Sequence, residues 1–251
     1  MQEKEYEILL YYNYVKIEDP EELLRAQTEL CEKHNLLGRI IIAEEGINGT
    51  VEGLKEDTQK YIVDMQKDTR FADTHFKTSI GTGEAFHKLS IKVRDEIVAA
   101  HLGDEDIDPN KVTGHHLDPD ELHKWYQEGK EFYVVDMRSD YETRVGQFED
   151  SIISDFENFR DLPEILPKIE HLKDKTVVTV CTGGIKCEKA SGFLVNKGFK
   201  DVHQLYGGIH AYMQKYPNEH FKGKLYVFDG RTTMAVNADS PEHEVISECE
   251  R

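Results

Sequence analysis

No stretch of this 251-residue sequence approaches the roughly 20 apolar residues needed to span a bilayer; its longest apolar runs, such as Arg39 to Ala43 and Thr176 to Val180, are far shorter. A membrane-spanning protein is excluded. The opening MQEKEYEILLYY has no basic end, apolar core or small-residue cleavage site of a secretory signal, which predicts a cytoplasmic protein. Cysteine is scarce: four residues, at 31, 181, 187 and 249, are unevenly spaced and read as thiols rather than a disulfide framework. Positive charge is in deficit, 31 Lys and Arg against 49 Asp and Glu for a net charge of −18, so the chain as a whole repels polyanions. Any nucleic-acid contact must then be a local patch, and no DNA partner is expected. Metal-ligand spacing is missing too. The 12 histidines include the adjacent His115 and His116 but no HxxxH, and no paired CxxC occurs, so the histidines read as surface residues and no metal is expected. There is no internal repeat and no low-complexity segment.

What is present is ordinary globular material, 38% hydrophobic, in a length that fits one large domain or two small ones. From Tyr6 to about Val98 the pattern reads strand, helix, strand, strand, helix, strand. Ile8 to Tyr14 is the first strand. Asp19 caps a helix with Pro20 at its first position, and Leu23, Leu24, Gln27, Leu30 and Cys31 line one face, which makes Cys31 a core residue. Arg39 to Ala43 turns through Glu44 to Gly49 (EEGING) into Thr50 to Glu52, a hairpin in which Gly46, Asn48 and Gly49 read as turn residues. A helix near Glu56 to Lys67 follows. The closing strand is placed at Ala85 to Arg94, where Leu89, Ile91 and Val93 face inward and Lys88, Ser90, Lys92 and Arg94 outward. Two βαβ halves of this kind make an α+β ferredoxin-like (acylphosphatase-like) domain over 1–100.

The acidic, turn-rich stretch from 101 to 114 reads as a linker. Beyond it, over 115–220, strands and helices alternate: a helix capped at Asp118, a strand Phe132 to Asp136, a helix around Leu162 to His171, and a strand Thr176 to Val180. A helix Lys186 to Lys197 stopped by Gly198, a strand Val202 to Leu205 and a helix Ile209 to Lys215 complete it. This alternation implies an α/β domain with a parallel sheet. Residues 221–251 form an extension whose acidic tail from Ser240 is expected to fray.

The chemistry concentrates at Thr176 to Phe199: a buried strand, Cys181 at its carboxyl end, a glycine-rich turn, then a helix. In open α/β sheets sites form at this place. Gly183 and Gly184 let backbone N–H groups point at the sulfur, the helix presents its positive end, and Lys186 adds a cation, at small desolvation cost if its head stays in water; together these stabilise a thiolate. Cys187, six residues on, is either a resolving thiol for an oxidised or persulfidated Cys181 or a small residue packing the helix on the sheet. Asp136 and Arg138 end the neighbouring strand, close to where the Cys181 loop should sit, as loop supports or as catalytic groups. Arg144 and Arg160 fall in loops on the same carboxyl edge, as phosphate contacts or as surface ion-pair members.

The six residues CTGGIK (Cys181 to Lys186) resemble the active-site loop of rhodanese domains, and VVDMRSDYE (Val134 to Glu142), Gly146, Phe148 and LYGGI (Leu205 to Ile209) follow in the expected order. The longer CTGGIKCEKASGFL, with GRIIIAEEGINGTVEG, HKLSIKVRDEIV and FKGKLYVFDGR, closely resembles the bacterial rhodanese-domain tRNA uridine hydroxylases over residues 6 to 235. That resemblance implies conversion of the wobble uridine of tRNA to 5-hydroxyuridine, with molecular oxygen as co-substrate, the anticodon loop as partner and Cys181 facing a flipped base. Cys181 would attack the pyrimidine at C6 or carry a peroxidic or persulfide state. No flavin, haem or non-haem iron motif is present, so no cofactor is expected. The alternative is a generic sulfurtransferase working through a Cys181 persulfide; a phosphatase would want a longer cradle and an arginine in place of Lys186. The sequence departs from the family's pattern where Glu149, Asp150 and Ser151 replace a small-residue turn. It departs again at the end, where Cys249 stands alone in place of a cysteine-rich segment.

One positive island interrupts the acidic chain. Between Thr74 and Arg94, Lys77, Lys88, Lys92 and Arg94 stand against Glu84 alone. With Phe86 on the same parity as a stacking ring, these are the candidate RNA-binding residues. A solvated strand face or a cover between domains is the other reading, and the resemblance favours tRNA.

Overall fold

The computed structural model describes residues 4–239. The tail from Ser240, with the expectation that it frays and the departure at Cys249, lies outside the described residues. The chain divides into two compact units, Met1–Val98 with Phe228–Arg231, and Ala99–Val227 with Thr232–Arg251.

In the first unit β1 (Tyr6–Tyr14), α1 (Pro20–Lys33), β2 (Leu37–Ala43), β3 (Gly46–Leu54), α2 (Lys55–Met65), β4 (Lys77–Gly81) and β5 (Leu89–Val93) succeed one another. The Asp19 carboxylate accepts the Glu22 N–H at 2.9 Å, and Pro20 starts α1, as its sequence predicts. Leu23 and Cys31 are buried on its inner face; Gln27 joins them because its carbonyl accepts the Tyr61 hydroxyl at 2.7 Å, which in turn meets Tyr11 at 2.6 Å. The sheet runs β4-β1-β3-β2-β5, antiparallel except for the parallel pair β2 and β5. The expected ferredoxin-like fold is there, with two corrections. The closing strand of the second βαβ half is β4, whereas Leu89–Val93 adds a fifth strand on the opposite edge. β4 has no apolar alternation to read, since its one large apolar side chain, Ile80, is 87% exposed. The hairpin turn is Glu44 and Glu45 alone, and Gly46, Asn48 and Gly49 lie in β3. Gly49 is required there by packing, because a Cβ would stand 2.3 Å from Cζ of the buried Tyr11.

The second unit contains β6 (His115–Leu117), α3 (Pro119–Glu128), β7 (Tyr133–Asp136), α4 (Asp140–Thr143), β8 (Gly146–Phe148), β9 (Ile152–Ile153), α5 (Leu166–Ile169), β10 (Thr176–Val180), α6 (Ile185–Asn196), β11 (Asp201–Leu205), α7 (Gly208–Lys215), β12 (Phe221–Gly223), β13 (Leu225–Tyr226) and β14 (Thr233–Met234). Its main sheet, β6-β11-β10-β7-β9, is parallel throughout, as expected. Val178, Val180, Leu205, Trp125, Phe148, Ile209 and Tyr212 form its core. The single helix expected at Leu162 to His171 is instead a 3-10 run (Phe159–Ile165), the short α5 and a further 3-10 turn (Glu170–Leu172), because Pro163 and Pro167 withhold the N–H groups a continuous helix needs. Asp118 holds the cap position of α3 without a side-chain hydrogen bond. Residues 101–114 belong to this unit: Ile107 is buried, Asp106 receives Lys189 at 3.1 Å, and the Gly114 N–H donates to Ser191 Oγ at 2.8 Å. No described helix is long and apolar enough to cross a membrane.

Not all histidines are surface residues. His34, His123 and His210 are buried; His34 meets Asp64 at 2.8 Å, and His123 stacks on Tyr216 with ring centroids 3.8 Å apart. A histidine on the inner face of a helix carries no sequence mark that separates it from an outward one.

Candidate active site

β10 delivers Cys181 to the carboxyl edge of the parallel sheet, between β7 and β11. The chain then turns at Thr182, Gly183 and Gly184 into α6. Gly184 has φ +100°, in the left-handed region, and this aims its N–H back at Cys181 Sγ, 3.2 Å away. Cys187, in the first turn of α6, donates its amide to the Gly184 carbonyl at 3.0 Å and sets that amide and its thiol close to the same sulfur. Burial pushes the Cys181 thiol up; the Cys187 thiol, the Lys186 charge and the amides of Cys187 and Gly184 overcome it and bring the pKa from 9.0 to about 7. Cys187 moves the other way, well above an ordinary thiol, through burial and the charge of its neighbour. Of two thiols in contact, one ionises and the other stays protonated as its donor, which leaves the packing and redox readings of Cys187 both consistent with its place.

The Lys186 head does not stay in water. Its Nζ pairs with the Glu142 carboxylate, its side chain is 13% exposed, and although burial works against the ammonium the Glu142 charge holds it protonated. Glu142 is fully buried and closes a capping box: it accepts the Ser139 N–H at 2.9 Å while its second oxygen takes the Thr182 hydroxyl at 3.3 Å. Asp136 and Arg138, both at 0% exposure, form an ion pair beneath this loop, Nη2 to Oδ2 at 2.7 Å. The guanidinium also donates to the carbonyls of Glu142 at 3.2 Å and Gly146 at 2.6 Å. A third support comes from α7, whose Ile209 and His210 N–H groups donate to the carbonyls of Cys181 and Thr182 at 2.9 and 3.0 Å.

Cys181, Gly184, Lys186 and Cys187 are thus brought together, with Asp136 and Arg138 under them; Gly183 lies in the turn between, and of the two glycines it is Gly184 whose N–H reaches the sulfur. Glu142, Thr182 and the start of α7 escaped the reading of single residues. Ser139 and Glu142 at capping-box spacing, and the paired glycines at 207 and 208, were the signals that could have found them. Arg144, capping the end of α4, is tied to Asp140 at its start, and Arg160 is exposed on the 3-10 run. In the acidic turn, Asp150 takes φ +54°, a conformation aspartate tolerates better than most residues. Among the described residues no group of three or more His, Cys, Asp or Glu is placed to hold a metal ion.

The candidate RNA-binding residues belong to the first unit. Lys88, Lys92 and Arg94 are exposed. Lys77 is buried at 5% exposure with its ammonium 4.8 Å from the Tyr12 ring centroid, and Phe86 is packed with Ile8 and Ala85, so neither offers itself at the surface.

A thiolate held at neutral pH by amides, a thiol and a lysine is a nucleophile. Its alkylation by iodoacetamide is expected to rise with pH through a midpoint near 7 and then level off, because only the thiolate reacts and it accumulates as pH passes the pKa. In Lys186→Ala the midpoint moves up toward 9.0, the ordinary thiol value. An unchanged midpoint would remove Lys186 from the account.

Residues 6–97 match the UPF0176 acylphosphatase like domain, and residues 118–215 the Rhodanese-like domain. A curated protein named tRNA uridine(34) hydroxylase from Cytophaga hutchinsonii is 47% identical over 246 residues, covering 98% of this chain and 77% of that protein. One of the same name from Staphylococcus epidermidis is 46% identical over 236 residues, covering 93% and 73%. Among solved structures, a rhodanese-like domain protein from Staphylococcus aureus is 26% identical with a TM-score of 0.34, covering 39% of this chain and 90% of that one.

Proposed function

Because this chain belongs to the tRNA uridine(34) hydroxylase family, we propose that it hydroxylates the wobble uridine of tRNA to 5-hydroxyuridine with molecular oxygen, Cys181 acting as nucleophile. The single observation that carries the reading from family to residue is the Cys181 sulfur at the sheet's carboxyl edge, met by the Gly184 N–H at 3.2 Å inside a loop gripped from three sides. The thiolate adds to C6 of the flipped uracil ring; C5 becomes electron-rich and takes one oxygen atom from dioxygen. The second oxygen atom leaves as water, with two electrons from a reductant and protons from solvent, and C5 gives up its proton as the C6–sulfur bond breaks. Lys186 and the Gly184 and Cys187 amides stabilise the sulfur as it leaves again, and Asp136, Arg138 and Glu142 hold the loop in place.

The anticodon loop is the part of tRNA that presents this base, and a cytoplasmic location follows from that substrate. Purified chain incubated with unmodified tRNA and a reductant is expected to yield 5-hydroxyuridine under air and none without oxygen. If no product forms while thiosulfate-to-cyanide sulfur transfer turns over rapidly, the persulfide sulfurtransferase takes its place.

A further inference from the structure

The structure assigns a backbone-binding strip for tRNA to the face of β2 and β5 in the first unit, with Arg39 at its centre. The assignment rests on the hydroxylase reading for its ligand. On geometry, the parallel register sets Arg39 opposite Ser90 and Ile41 opposite Lys92. The ladder extends at both ends, the Gly38 N–H reaching the Lys88 carbonyl and the Arg94 N–H the Ile42 carbonyl, so residues 88 to 94 keep one alternation. Because side chains alternate along a strand, Lys88, Ser90, Lys92 and Arg94 share the face that carries Arg39. Ile40, Leu89 and Ile91 point to the other face, into the core beneath α1 and α2.

Lys88, Arg39, Lys92 and Arg94 therefore form a strip about 20 Å long at the usual strand rise. All four are exposed, and among the described residues none has an ion-pair partner. That sets them apart from Lys33, Lys60, Lys67, Lys124, Lys173, Lys175 and Lys200, each of which meets a carboxylate. No acid stands on this face of β2 or β5. The one acid on the same face of β3, Glu52, is buried and occupied by the N–H groups of Thr82, Gly83 and Ala85. In a chain of net charge −18, four adjacent unneutralised cations are complementary to a polyanion. Cations in a row on a sheet, with no exposed aromatic among them, grip phosphates rather than read bases.

The test is tRNA affinity as a function of salt for Arg39→Ala/Lys92→Ala, with Lys124→Ala/Lys200→Ala as a control of equal charge change. The strip variant is expected to bind roughly tenfold or more weakly and to lose about two from the log–log salt slope, one per cation removed, with KM raised and kcat retained. The control keeps the parent affinity and slope. Equal binding by parent, strip variant and control overturns the strip and leaves the hydroxylase reading standing. Failure of the parent chain to bind tRNA overturns both.

Discussion

Exchanging Arg138 for alanine is expected to destabilise the second unit by about 3–5 kcal/mol, the cost of breaking a buried ion pair from one side. Asp136 stays behind at 0% exposure with its charge unpaired, and the carbonyls of Glu142 and Gly146 lose their donors. Arg138→Lys keeps the charge but not the forked reach to Asp136 and two carbonyls, so it falls between alanine and the parent. Urea unfolding of the second unit measures this. A loss of under about 1 kcal/mol for the alanine variant would mean that the pair is replaced by water and does not hold the loop.

Gly208→Ala is expected to displace the Cys181 loop without unfolding the protein. Gly208 has φ +68°, and a Cβ there would lie 2.6 Å from the Cys181 carbonyl oxygen, 2.7 Å from the Gly184 nitrogen and 2.7 Å from the Thr182 carbonyl oxygen. All three are backbone atoms, so no side chain can swing aside. The Ile209 and His210 N–H bonds to the loop lengthen, and the Gly184 amide turns away from the sulfur. Misplacement of about 1 Å near a reacting atom costs on the order of 100-fold in rate. The Cys181 midpoint rises with it toward 9.0, because the donors that lower it are no longer aimed. Activity and thiol titration moving together identify the loop as the cause, while unaltered titration with lost activity would place the damage elsewhere.

Much of this was legible in the chain itself, for reasons that differ by element. α1 is written in Asp19, Pro20 and its apolar spacing, and β10 with its cysteine in a β-branched run ended by glycines; each is decided within a few residues of itself. β4 was not legible, since a strand whose apolar side chain faces outward shows no alternation, and its place is set by pairing with β1. The hairpin glycines misled for a related reason: Gly49 is small to admit the ring of Tyr11, a residue 38 positions earlier. Cys181 and Lys186 were visible as chemistry. Glu142 was not, because its role comes from a partner 44 residues on, a separation only the fold closes. Among the basic residues, Lys77 counted by charge alone is lost to burial, while Arg39, in a separate strand, is gained by register.

Nucleoside mass spectrometry on tRNA from cells lacking their own wobble-uridine hydroxylases, supplied with this chain or with Cys181→Ala, tests the central claim most directly. The account predicts 5-hydroxyuridine with the parent chain and none with the alanine variant at equal abundance. Equal product from both would contradict it, because hydroxylation would then proceed without the sulfur on which the site is built.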